Sequence, residues 1–283
     1  MIYLSAFSDE AATDLQGQID ALKRNNIGYM EVRFINGVPV RDFTLEQAEE
    51  YTKIMNEQGI KVWSIGSPLG KEDIKTLDFN DYENTVHHIC KIAKIMGTEK
   101  IRMFSFFKAY DEEEKVYAYL RRMVEIADEY GVTLYHENEK DIFGDNVERV
   151  LKIMQNVKGL KWVYDPANFL QVGERADNSL EKLHALTDYF HIKDVVFETG
   201  ELVPAGHGDG KIDKLIAKID KDTTMTLEPH LRIFDAFKSI DDTEMKHKFH
   251  FTSNGEAFDA AVSALKNLLV NAGYKEVEGG FTK

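Results

Sequence analysis

The chain has 283 residues, 43% of them hydrophobic and 30% charged, with a formal net charge of −14. That length and composition describe a globular protein with room for a large core, so stability calls for neither a disulfide nor a structural metal. Cys90 is the sole cysteine, which excludes a disulfide framework and a cysteine-built zinc site, and the negative charge opposes nonspecific attraction to nucleic-acid phosphates.

The opening MIYLSAFSDE turns acidic too soon for a secretory signal. No apolar run approaches the roughly 18 residues of a membrane span, so a cytoplasmic protein with no membrane partner is expected. Strand-like runs follow at residues 2–7, 29–34, 61–65, 101–104, 132–137, 161–165, 189–192 and 225–228. Helical patterns fill the intervals. In TLEQAEEYTKIMNEQG, Leu45, Ala48, Tyr51, Thr52 and Met55 recur three and four residues apart, with Thr44 as N-cap and Gly59 as stop signal. Cys90 lies in the helical HHICKIAKIM and reads as an inert core residue. A last helix, NGEAFDAAVSALKNLLVNAG, closes the series.

Eight strands, each followed by a helix, demand parallel pairing and close most naturally into a (β/α)8 TIM barrel. The rival, an open doubly wound sheet, announces itself by a glycine-rich first turn, and SAFSDEAATD has none. No Pro- or Ser-rich linker divides the chain, so residues 1–283 are expected to form one domain. The longest irregular connection, residues 229–254, is polar and charged. It reads as a lid or an oligomer contact, with a tolerated insertion as the alternative, and a homo-oligomer stays open.

In a barrel the C-terminal strand ends converge on one rim, where catalytic groups sit. Glu137, Asp165 and Glu228 end the fifth, sixth and eighth strands, and His191 lies within the seventh. Alternation turns the four toward the barrel mouth. Three carboxylates crowded there repel one another, and a divalent cation removes the conflict. Three oxygen ligands and one imidazole suit Mn2+ first, with Mg2+, Co2+ and Zn2+ as the other candidates. Taken singly, each residue has a plainer reading: an N-cap, a solvated loop charge, a turn starter before Pro166, or a structural histidine.

Glu31 and Arg33 in YMEVRF share one strand face and are candidates for holding substrate hydroxyls, or else form a structural salt bridge. Lys193 shares a face with His191 and could polarise an oxygen or bind an anion. GHGDGKID has the glycines of a tight loop that would bring His207 over the site. GSPLGKE, residues 66–72, reads as a phosphate cradle or a simple turn. His136 faces the helices by alternation, and FSFFKAY forms a pocket wall or a subunit contact.

LYHENE, VYDPANF, YFHIKDV, GHGDGKID and TLEPH, in that order, resemble the sugar phosphate isomerase/epimerase family, the xylose-isomerase-like TIM barrels. YMEVRF and FDAAVSALKNLL extend the likeness over nearly the whole chain. The resemblance implies a metal at Glu137, Asp165, His191 and Glu228, with Glu137 and Glu228 also acting as acid and base. It implies a sugar or sugar phosphate as the small-molecule partner and proton transfer through a metal-stabilised enediolate, giving an epimerase or an aldose–ketose isomerase. Xylose isomerases proper use two metals and a hydride shift, and IKDV lacks the extra carboxylate pair for a second metal. A dehydratase of an inosose-like keto-polyol would use the same site. A DNA-repair endonuclease would need a histidine-rich rim and a basic groove; a sugar-binding protein would need no paired glutamates.

Overall fold

The computed structural model describes residues 1–235 and 245–283. Eight parallel strands form its centre: β1 (Ile2–Ala6), β2 (Tyr29–Val32), β3 (Lys61–Gly66), β4 (Lys100–Met103), β5 (Thr133–Glu137), β6 (Lys161–Tyr164), β7 (Tyr189–Ile192) and β8 (Thr223–Leu227). Each pairs with the next, and β8 returns to β1 in the register Ile2↔Thr223 to Ala6↔Leu227. The sheet is a closed (β/α)8 barrel, as the periodicity predicts. The strands stop within two residues of the expected limits, and Phe34 leaves β2 to start a short hairpin, Phe34–Ile35 with Val38–Pro39.

The surrounding helices are α1 (Leu15–Arg24), α2 (Leu45–Glu57), α3 (Phe79–Ile95), α4 (Glu113–Glu129), α5 (Val147–Asn156), α6 (Pro166–Gln171), α7 (Ala176–Leu183), α8 (Ile212–Ala217) and α9 (Asn254–Asn271). Their starts follow local chemistry. Thr44 caps α2 in a full capping box with Gln47, and Asp14, Asp78, Asn146 and Ser253 cap α1, α3, α5 and α9. Their apolar faces bury Ile19, Leu22, Tyr51, Val86, Leu120 and Leu265 against the outer side of the barrel. Cys90 is buried in α3, and burial pushes its thiol up to about 12, in keeping with an inert core residue.

Two further pieces depart from the eightfold repeat. A C-terminal hairpin, Lys275–Val277 with Gly280–Thr282, adds antiparallel to β1 through Ile2↔Phe281 and Tyr3↔Gly280. It takes the lower edge of β1, whose upper residues Ser5 and Ala6 pair with β2. After β7, Asp194–Val195, Glu201–Val203 and Lys246–His247 form a small sheet beside the mouth. Residues 236–244 of the expected lid or oligomer contact lie outside the described residues. Among the described residues no helix is long and apolar enough to cross a membrane.

Candidate metal centre

The C-terminal strand ends bring Glu137, Asp165, His191 and Glu228 together. Each is buried, and each offers one ligand atom within 4.8 Å of the other three. His191 Nδ1 lies 2.8 Å from Glu137 Oε1 and 3.3 Å from Glu228 Oε2. Asp165 combines two of its readings. As N-cap of α6, before Pro166, its Oδ1 accepts from the amides of Ala167 and Asn168 at 2.8 and 3.1 Å. Its Oδ2 is left for the cluster. Among the described residues, Asp165 Oδ2 and Glu228 Oε2 accept no well-aligned hydrogen bond, although Lys193 Nζ sits 3.1 and 3.6 Å from them.

Unsatisfied, buried carboxylate oxygens converging on one imidazole nitrogen fit a divalent cation. The electrostatics point the same way. Burial pushes the Asp165 carboxyl up, against the pull of Lys193, with Glu137 and Glu228 adding to the rise. Burial also works against the Glu228 carboxylate, but Lys193, His191 and His230 hold its carboxyl well below the usual range. His191 shows the reverse: burial opposes its cation, yet Glu137 and Glu31 carry its pKa well above the ordinary histidine value. With protein groups alone, protons and ammonium groups neutralise charge that a metal ion would otherwise take up.

Side chains around the four hold them in place. Asn138 ties β5 to β6: its Oδ1 accepts from the Asp165 amide at 3.0 Å, and its Nδ2 donates to the Asp165 carbonyl at 2.9 Å. Asn168 Nδ2 donates to the Asn138 carbonyl at 2.8 Å and to Glu137 Oε1 at 3.4 Å. Arg102, on β4, places Nε 3.2 Å from Glu137 Oε2. Arg33 Nη1 donates to Glu228 Oε1 at 2.9 Å while its Nε donates to Asp9 at 3.0 Å. Phe7 packs edge-on against the His191 ring, with centroids 5.2 Å apart, and lies under the Arg33 guanidinium at 4.3 Å. Gly66 makes room for that ring, since a Cβ there would overlap Phe7.

Other expectations meet different environments. Glu31 lies behind His191, within the barrel, rather than at its open mouth. His207 is exposed, its ring 5.5 Å from Phe249, and its described contacts do not join it to the four. The glycine loop that carries it is organised from inside by Asp194, whose carboxylate accepts from the amides of Val195, Gly206, Gly208 and Gly210 at 2.8–3.0 Å. The 66–72 segment is a packed turn: the Gly70 amide donates to Tyr82 and Glu72 at 2.8 and 3.1 Å, which takes it from any phosphate. His136 points outward, as alternation predicts, and stacks on Trp162. Phe104 lies under Lys71 and Arg102, each 4.5 Å from its ring, as part of a wall near the mouth. Sequence reasoning missed Arg102, Phe7 and Asp194. An arginine inside the apolar run IRMF was the one visible signal for Arg102.

The xylose isomerase-like TIM barrel family matches residues 19–251, and the chain belongs to it. Among solved structures, it is similar to a D-psicose 3-epimerase crystallised in the presence of D-fructose, with 12% identity, TM-score 0.72, and 96% of this chain and 100% of that one covered. It is similar to the probable 3-DHS dehydratase AsbF of Bacillus anthracis, with 16% identity, TM-score 0.71 and coverage of 94% and 99%. It is also similar to the IOLI protein with a bound zinc atom, with 14% identity, TM-score 0.71 and coverage of 96% and 99%. At these identities the likeness establishes the fold. No curated protein sequence matches the chain.

Proposed function

We propose that the protein is a divalent-metal-dependent isomerase that epimerises a keto-sugar, or interconverts an aldose and a ketose, by proton transfer beside the carbonyl. One observation carries this reading. Glu137 and Glu228 approach His191 Nδ1 through one oxygen each, and each has its other oxygen beside a buried arginine, Arg102 or Arg33. Two glutamates so placed suit one acid and one base on either side of a bound substrate. The structural likeness to a D-psicose 3-epimerase supports the same class.

Glu137, Asp165, His191 and Glu228 would hold the cation, Mn2+ first and Mg2+, Co2+ or Zn2+ as the other candidates. When bound, it supplies Lewis-acid stabilisation of negative charge on the substrate oxygens. In one direction Glu137 takes the proton from the carbon next to the carbonyl and Glu228 delivers one; the reverse direction exchanges the roles. Arg102 and Arg33 keep the two carboxylates aimed, and Lys193 is placed to steady a substrate oxygen. Arg33, Arg102 and Lys193 each already face a carboxylate, which favours an uncharged sugar over a sugar phosphate. The net charge of −14 gives no support to a nucleic-acid partner.

A dehydratase acting on a keto-polyol is the second reading, favoured by Lys193. Its ammonium is buried 3.6 Å from Glu228 Oε2, where it could protonate a departing hydroxyl. One experiment separates the two. Incubation of the metal-loaded protein with D-fructose, D-psicose or D-tagatose in D2O should place deuterium next to the carbonyl and yield an epimer or aldose isomer. A product lighter by one water supports the dehydratase. Turnover that takes up no deuterium over many cycles sinks proton transfer.

A further inference from the structure

Glu31 is fully inside the barrel, one layer below the four converging residues, and all its described partners are donors or can be. Tyr189 donates its hydroxyl to Oε1 at 3.1 Å, and Thr226 donates to Oε2 at 2.9 Å. His191 Nε2 stands 3.3 Å from the same Oε2. Ser64, opposite Glu31 on the neighbouring strand, brings its hydroxyl within 3.4 Å of Tyr189. An ionised carboxylate only accepts, so without a metal both ring nitrogens face acceptors, Nδ1 at Glu137 (2.8 Å) and Nε2 at Glu31 (3.3 Å). A cation taking the Nδ1 lone pair leaves Nε2 as the nitrogen that carries hydrogen toward Glu31. Tyr189, which also lines a cavity of about 230 Å³ at the opposite end of the barrel, and Thr226 fix Glu31 from below and beside. Were it to swing away from His191, the buried Thr226 hydroxyl would lose its described acceptor and Tyr189 would keep only the longer contact to Ser64.

We infer that Glu31 is a positioning residue that selects the His191 tautomer: it holds the proton on Nε2 and thereby presents the Nδ1 lone pair to the metal. The inference rests on the metal reading above. The strands supply the geometry. Glu31 and His191 both point inward, and on β8 Thr226 lies in register with His191 and, on its other side, with Ser5 of β1. The ring is therefore contacted at both nitrogens and flanked edge-on by Phe7. A carboxylate that orients a metal-bound histidine raises its basicity, and its loss typically costs about 10–100-fold in metal affinity.

The test reads the tautomer and the affinity rather than turnover. In the zinc-loaded protein labelled with 15N-histidine, His191 should show a protonated Nε2, slow to exchange, and a metal-shifted Nδ1. The opposite assignment in wild type would overturn the inference whatever any variant does. Metal affinity, measured by competition with a chromophoric chelator, should fall roughly 10–100-fold in Glu31→Leu and by less in Glu31→Gln, whose amide oxygen can still accept from Nε2. Glu31→Leu binding zinc as tightly as wild type also overturns it. Wild type that holds no metal, or holds it equally well as Asp165→Asn, overturns the metal reading and this inference with it. A loss of affinity in Glu31→Leu with the Nε2 proton unchanged in its shift and exchange would mark a merely structural effect and overturn the tautomer role.

Discussion

Asp165 caps a helix with one oxygen and faces the cluster with the other, so the N-cap reading holds and leaves the second oxygen free for the proposed ligand role. Each glutamate likewise turns one oxygen to His191 and the other to an arginine, so the roles proposed for them are separable. Glu228→Gln keeps an oxygen for coordination but loses the proton-transfer function, so kcat should fall about 10²–10⁴-fold with metal content near wild type. On the proposed metal reading His191→Ala removes a ligand outright, and metal analysis should find the ion gone. Near-normal turnover by Glu228→Gln, or equal metal content in His191→Ala, would each remove the residue from its role. The four were legible because each ends or interrupts an apolar run at a strand end, and alternation gives the direction it faces. Arg102, Phe7 and the partners of Arg33, Asp9 and Glu228, were not. Their partners lie on other strands, and nothing local in KIRM or SAFS says which carboxylate or ring will be met.

At the level of elements, β5 and the loop after β7 show what periodicity can and cannot tell. Alternation correctly turns His136 away from the mouth, but not into what: its ring is fully buried, stacked on Trp162, with neither nitrogen hydrogen-bonded among the described residues. Burial lowers its pKa to about 3. The unfolded chain, with histidine near 6.5, then binds a proton that the folded chain refuses. The stabilising contribution is present above about pH 6.5 and fades as pH falls toward 3. The melting temperature of wild type should therefore drop between pH 6.5 and 4 more steeply than that of His136→Phe, and parallel curves would contradict a neutral buried ring. In the loop, the glycines of GHGDGKID foretold a tight turn, but its organiser, Asp194, was invisible because it sits a dozen residues upstream. A Cβ on Gly208 or Gly210 would crowd that carboxylate. Asp194→Asn exchanges an acceptor for a donor facing amide hydrogens, so it should cost about 1–3 kcal/mol and speed proteolysis of the loop. Unchanged stability and cleavage would show that the loop holds itself.

At the scale of the whole molecule, barrel closure was the most legible feature, because eight strand–helix units admit few other parallel arrangements. The C-terminal hairpin was not: KEVEGGFT is too short and polar to declare a partner, and its place on β1 is fixed only in three dimensions. On the proposed reading, a metal held by the crowded carboxylates at the mouth would also stabilise the fold. Stripping the ion with a chelator should lower the melting temperature, and metal at about 100 times its Kd should restore about 2.7 kcal/mol, a shift of roughly 5 °C at this size. The same titration on Asp165→Asn should move the melt far less; an equal shift would place the ion elsewhere. The hairpin and the closing strand pair carry one more consequence, for the order of assembly. Ile2 waits for both Thr223 and Phe281, so the first strand made is among the last to be completed. Until then β1 and β7 are raw edges with unmet amides and carbonyls, the kind of surface on which one growing chain adds to another. The vulnerable moment for this barrel is late in synthesis, when seven strands stand open and the eighth has yet to bridge them.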